Sequence, residues 1–200
     1  MGQLADQERQ TYQEVYDLIG ELYGGADEFA KSPGGDLVPT FLSMIGDRPK
    51  GTILDAGCGA GLGALALSQA GFDVLCGDLL DHRTPEAQAF PFTQLNLWQP
   101  LRYQLRRGQV AWVYCADVME HLPTQFVGLA LDNMLRFCSQ GLFLSINLYD
   151  DVAGPRALGK SLHQTVRPFT WWRDTLRELG RVVEARDTHL CGLYLVEPVR

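Results

Sequence analysis

Apolar positions recur along the chain with two periods, and the switching between them predicts an α/β protein. Residues 6–23 place Tyr12, Val15, Tyr16, Ile19, Leu22 and Tyr23 at helical spacing among acids and glutamines, which predicts an amphipathic helix. Breaks at Gly24-Gly25 and at Ser32-Pro33-Gly34-Gly35 separate it from a second helical stretch, Leu37 to Ile45. From Ile53 onward short apolar runs alternate with helical patterns. After the first strand, which ends at Asp55, the spacing predicts a helix from Leu62 to Ala70 and strands over 72–77, 91–97 and 109–116. A helix over 124–138, a strand over 141–148, a helix over 168–180 stopped by Gly180, and strands over 182–187 and 190–196 complete the order. Strands joined through helices imply a mostly parallel, doubly wound sheet, here of seven strands. Only Asp187-Thr188-His189 is too short for a crossover, so the closing two strands are expected to pair antiparallel.

The first strand runs from Ile53-Leu54-Asp55 straight into Ala56-Gly57-Cys58-Gly59-Ala60-Gly61-Leu62-Gly63. Removing side chains there lets backbone amides touch a ligand, and glycine accepts the positive φ of a sharp strand-to-helix turn. Asp78 closes the next apolar run, about 20 residues past the first glycines, where the neighbouring parallel strand presents a carboxylate to ribose hydroxyls. Gly59-Ala60-Gly61-Leu62-Gly63-Ala64 also satisfies the dinucleotide fingerprint in its Gly-x-Gly-x-x-Ala form. In that fold the first glycine follows the strand directly, whereas Asp55, Gly57 and Cys58 intervene here. A carboxylate at the strand end also suits a cationic amino group better than a diphosphate.

Asp55-Ala56-Gly57-Cys58-Gly59-Ala60-Gly61, followed by Asp78, resembles motif I and the next acidic position of the class I S-adenosylmethionine (SAM) dependent methyltransferases. The antiparallel closing hairpin is part of the same layout. The resemblance carries specific motifs over about residues 50–148 and is one of layout elsewhere. It implies one methyltransferase domain over 1–200, with 1–48 as a helical lid that turns one or two of Tyr12, Tyr16 and Tyr23 toward the ligand. SAM is the implied cofactor, contacted by Asp55, Gly57, Cys58, Gly59, Asp78, Leu79, Asp117 and Tyr16. Asn96 and Leu97 take the positions that meet the adenine amino group and ring. Asn96 stands where Asp is common, and an amide oxygen accepts the same hydrogen bond.

Further along, Cys115-Ala116-Asp117-Val118-Met119-Glu120-His121-Leu122-Pro123 ends in the Glu-His-Leu stretch found after the fourth strand of many such enzymes. It is expected to face the methyl group at the carboxyl edge of the sheet. Methyl transfer from a sulfonium is an in-line displacement, so the protein aligns donor and acceptor and removes a proton. His121 and His163 are the candidate bases, with Glu120 beside them. The reading assigns no metal. An alternative follows from a likeness to methyltransferases of small-RNA 3′ ends, in which Asp117, Glu120, His121 and His163 would hold a divalent ion. Trp172 and Leu176 fit a packing face, while Trp171 either joins them or projects toward the cleft.

Composition narrows the partners. Two hundred residues at 46% hydrophobic support one substantial core. The net charge of −7 opposes loose attachment to nucleic acid or anionic lipid. That average hides a gradient: residues 1–100 hold five basic and fourteen acidic side chains, residues 101–200 twelve and ten. Neither a membrane-spanning run nor a secretory leader is read in the sequence, so the cytoplasm is the expected compartment. Five scattered cysteines, at 58, 76, 115, 138 and 191, read as small buried hydrophobes in a reducing environment. The expected activity is methylation of an oxygen or nitrogen on a small-molecule acceptor. The rival from another class is a SAM-binding protein without turnover.

Overall fold

Thr52–Ala56 forms β1, and because Ile53 and Leu54 are both fully buried, this strand must be covered on its two faces. The computed structural model describes residues 2–23, 33–99, 106–151 and 159–199. The side chains of Ile19, Leu22 and Tyr23, the Gly24-Gly25 break, most of the basic run at 102–107 and most of the loop at 150–160 lie outside the described residues. Strands β2 (Asp73–Asp78), β3 (Phe92–Gln94), β4 (Val110–Ala116), β5 (Cys138–Asn147), β6 (Gly180–Asp187) and β7 (Cys191–Pro198) complete one seven-stranded sheet. Its order is β3-β2-β1-β4-β5-β7-β6. The first five strands pair parallel; β7 runs antiparallel to both β5 and β6.

Helices α1 (Gly2–Tyr23), α2 (Pro33–Asp36), α3 (Val38–Ile45), α4 (Leu62–Gln69), α5 (Thr124–Phe137) and α6 (Phe169–Leu179) are described. On one face Phe41 of α3 sits at the centre of an aromatic group, its ring 5.3–5.7 Å from those of Phe72, Trp112, Tyr114 and Phe143. Leu67 and Ala64 of α4 extend this layer. On the other face Leu131 and Met134 of α5 and Trp172 and Leu176 of α6 cover Leu54, Val113, Leu144 and Tyr194. Trp171 packs edge-on against Trp172 at 5.0 Å with the Arg167 guanidinium over its ring, so it belongs to the packing side.

Element boundaries depart from the sequence pattern where packing outweighs periodicity. The strand expected over 91–97 stops at Gln94, because Leu95 to Trp98 turn inward and are buried. Strand β5 begins at Cys138, directly after α5, since Cys138 takes an extended conformation and pairs with Val110. Gly141 is needed there because a Cβ would lie 2.8 Å from the Trp112 ring. Gly180 does not end α6 by a left-handed turn. It is extended, with φ −156°, and opens β6, where a Cβ would lie 2.7 Å from Val196 and 2.9 Å from the Glu197 carbonyl. Parallel pairing of the first five strands puts their carboxyl ends on one edge, and the conserved geometry of such sheets places ligands there.

Candidate functional site

The turn after β1 is shaped by three glycines in the left-handed region, Gly57, Gly59 and Gly61, with φ of 79°, 49° and 85°. At Gly57 the requirement is doubled, because a Cβ would overlap Val118 Cγ2. The amides of Gly57 and Cys58 donate to the Gly77 carbonyl at 2.7 and 3.2 Å, which lays the turn against the end of β2. There Asp78 accepts the Gly59 amide on Oδ2 at 2.8 Å and the Leu79 amide on Oδ1 at 2.6 Å. Burial pushes its pKa up, and these amides oppose the shift. Asp55 lies behind the turn, nearly fully buried, against the start of α4, where a Cβ at Gly63 would stand 2.9 Å from its Oδ2. Burial, then Cys76 and Asp78, drive its pKa well up, and Oδ2 has no partner.

A cleft opens between this turn and the ends of β2 and β4. Gly57, Asp78, Leu79 and the Leu95–Trp98 segment form one side; Asp117, Val118, His121 and Leu122 form the other, and Tyr12 and Tyr16 of α1 lie over it. Seven of the ten proposed cofactor contacts therefore line one cleft: Gly57, Asp78, Leu79, Asn96, Leu97, Asp117 and Tyr16. Asp55, Cys58 and Gly59 are not lining residues, although the Tyr16 hydroxyl would stand 3.5 Å from a Cβ at Gly59. Asn96 is buried, and its Oδ1 accepts the Trp98 amide at 3.2 Å, leaving Nδ2 without a partner. Asn133 holds the same segment through the Leu97 and Gln99 carbonyls at 2.8 and 3.0 Å. The Tyr16 ring stacks on His82 at 4.0 Å.

Beyond the cleft floor the segment after β4 is tightly tied. Asp117 holds a φ of 61° and donates its amide to Ser145 O at 2.9 Å. Glu120 is fully buried; its Oε1 accepts the Asn147 amide at 2.7 Å, and its carbonyl accepts the amides of Gln164 and Thr165 at 2.8 and 2.9 Å. Burial first, and then the Asp117 carboxylate that it faces, push the Glu120 pKa well up, so the protonated form is favoured. The Gln164 side chain donates to His121 O and the Thr165 hydroxyl to Leu122 O, which brings His163 against His121 with ring centres 4.8 Å apart.

His121 is pushed down to about 4 by burial and then by His163, and its Nδ1 has no partner. His163 Nδ1 lies 2.7 Å from the Tyr149 carbonyl, which only accepts, so Nδ1 carries the hydrogen and Nε2 is the basic nitrogen. Ligand atoms of Glu120, His121 and His163 lie within 4.8 Å of one another; among the described residues this group, without Asp117, has the spacing to hold a metal ion. Of the three catalytic candidates only His121 lines the cleft. Sequence reasoning assigned no role to Trp98, His82 and Asn133, which contacts between distant segments place, and read Val118 only as part of the 115–123 stretch.

No family model matches the chain. The curated magnesium-protoporphyrin O-methyltransferase of Synechocystis sp. is 30% identical over 131 residues, 62% of this chain and 53% of that protein. The chain thus spans about half the length of the curated relative it matches. Among solved structures it is similar to 1,6-didemethyltoxoflavin-N1-methyltransferase of Burkholderia thailandensis, with bound 1,6-didemethyltoxoflavin and S-adenosylhomocysteine. The TM-score is 0.71 at 16% identity, over 100% of this chain and 90% of that one. The Synechocystis magnesium protoporphyrin IX methyltransferase with bound S-adenosylhomocysteine gives 0.64 at 19% identity, over 94% of each. The chain has the Rossmann-like fold of the class I SAM-dependent methyltransferases, with the seven-stranded mixed sheet that the sequence pattern predicted. Among the described residues no helix is long and apolar enough to cross a membrane.

Proposed function

We propose that this chain is a SAM-dependent methyltransferase acting on an oxygen or nitrogen of a small-molecule acceptor. The observation that carries the reading is Asp78, fixed by the Gly59 and Leu79 amides beside the side-chain-free turn at Gly57. A carboxylate so held keeps lone pairs for two ribose hydroxyls. The orphaned Nδ2 of Asn96 fits a purine ring nitrogen, and the second lone pair of its oxygen fits the adenine amino group. Leu79 and Leu97 supply apolar surface to the ring. Asp117 suits the cationic amino group, and Asp55 supports the turn from behind. The 30%-identical relative, named for O-methylation, supports the reaction class.

When bound, SAM supplies an electrophilic methyl on a sulfonium. The residues of this chain then align the acceptor and take its proton. His121 lines the cleft and is uncharged at neutral pH, so its free Nδ1 can receive that proton. His163 stands behind it. Glu120 does not line the cleft and acts as a positioning residue for the 117–122 segment. Of the expected lid over 1–48, α1 serves that role, with Tyr12 and Tyr16 over the cofactor, whereas α3 is packed into the core through Phe41.

Metal assistance is favoured by one observation: Glu120 Oε2 and His121 Nδ1 are both buried without partners, within a group that includes His163. Two imidazoles and a carboxylate suit a borderline divalent ion that would polarise an acceptor hydroxyl, as in terminal methylation of RNA. Calorimetry with SAM, followed by a screen of phenols, N-heterocycles and short RNAs for S-adenosylhomocysteine release, tests both readings. No heat with SAM overturns the proposal, and binding without product from any acceptor favours a non-catalytic SAM binder. Loss of turnover in chelator with rescue by a divalent ion selects the metal reading.

A further inference from the structure

The loop that follows Asp78 carries a ring that the cleft does not use directly. His82 is not a lining residue, yet its ring stacks on Tyr16 of α1 with centres 4.0 Å apart and planes at 25°. Its Nε2 is buried without a hydrogen-bond partner among the described residues, so that side of the ring is seated by stacking.

The backbone beneath His82 is braced by its neighbours. The Arg83 side chain, only 5% exposed, grips Asp81 with Nε and Nη2 at 2.7 and 2.8 Å, a two-pronged pair that closes the chain tightly around residue 82. Its Nη1 donates to the Ala87 and Phe90 carbonyls at 3.1 and 2.8 Å, and the guanidinium covers the Phe92 ring of β3 at 4.7 Å. The Thr84 amide donates to Ala60 O at 3.0 Å, and a Cβ at Gly61 would overlap Ala87, so the loop is fastened to the glycine turn. His82 is thereby held on a rigid base.

Above it, Tyr12 and Tyr16 lie one helical turn apart on the same face of α1. Both line the cleft: Tyr16 rests on His82 after β2, and Tyr12 meets His121 after β4 edge-on at 6.1 Å. The Tyr16 hydroxyl stands 3.5 Å from the place of a Cβ at Gly59, whose amide fixes Asp78. Tyr16 thus covers the ribose end, and His82 sets its place.

We propose that His82 is a positioning residue for the cofactor, the seat on which Tyr16 holds α1 closed over the ribose end of the cleft. A ligand that needs the closed helix binds in proportion to the closed fraction, so removing the seat weakens binding by the factor that it opens the helix. A stacked ring pair shifts such a balance by about three- to tenfold.

The effect on SAM rests on the methyltransferase reading; the seat itself does not. Hydrogen exchange over residues 9–18 without ligand is read beside SAM calorimetry, on the full chain and its variants. His82→Ala should speed that exchange and weaken SAM affinity, each by about three- to tenfold, with the urea midpoint unchanged. His82→Phe keeps a ring face and should restore both. Adding His82→Ala to Tyr16→Ala should cost no more than Tyr16→Ala alone, since both remove the same stack. Unchanged exchange or affinity in His82→Ala, a loss that His82→Phe does not restore, or losses that add in the double variant overturn the proposal. A parent chain that gives no heat with SAM removes the methyltransferase reading and the cofactor role of His82 with it, while faster exchange in His82→Ala would still show the seat for α1.

Discussion

The Asn147 amide donates to Glu120 Oε1 at 2.7 Å, and this bond ties the end of β5 to the segment that follows β4. Glu120 is fully buried and faces a second carboxylate, so it is held protonated well above the ordinary range. Its folded pKa exceeds its unfolded one; the stability it contributes is complete below about 4.5 and is lost as pH rises through the folded pKa. Glu120→Gln keeps the shape and removes the titration. Urea melts of both proteins should show the variant gaining on the parent from pH 5 to pH 8, and a pH-independent difference would contradict this account.

His121 titrates in the opposite sense. Its folded pKa of about 4 lies below the model-peptide value of 6.5, so the unfolded chain binds the proton first. The parent should lose about 3 kcal/mol relative to His121→Asn as pH falls from 6.5 to 4, and nothing more below that window. Denaturant midpoints across that range measure it.

Gly57 is caught between a φ of 79° and the Val118 side chain. Gly57→Ala should cost about 2–4 kcal/mol and abolish SAM binding. Adding Val118→Ala opens the space but leaves the backbone strain of about 1–2 kcal/mol, so the double variant should recover only part of the stability. Full recovery would mean that the dihedral carries no cost.

Asp78→Asn leaves one oxygen for the two amides that the carboxylate now accepts. The expected loss is about 1–3 kcal/mol in stability and about 10–100-fold in SAM affinity, read by calorimetry. Unchanged affinity would remove Asp78 from the ribose site.

Much of this site is legible in the chain because local rules dictate it. The glycine turn, the acid that closes β2 and the three-residue link before β7 are written within a few residues of where they act. Leu95 to Trp98 were less accessible to that reasoning: their apolar run continues a strand pattern, and Asn133 and Phe126, far along on α5, help to hold them inward. The protonated state of Glu120 could not be read either, since it depends on burial and on a facing carboxylate. Gly180 resembles a helix stop in sequence, yet its role is set by the proximity of Val196 and Glu197 across the sheet. Likewise the Asn96 oxygen is already engaged by Trp98, a bond that no spacing rule announces.

Strand β7 follows both of its neighbours in the chain and yet lies between them. Until it arrives β5 has a bare edge, and because β6 and β7 form a local hairpin, docking of that hairpin on β5 is the non-local step in this half of the sheet. Peptides that mimic residues 191–198 should compete for the vacant slot during refolding, before the nucleotide half of the sheet reports any disturbance.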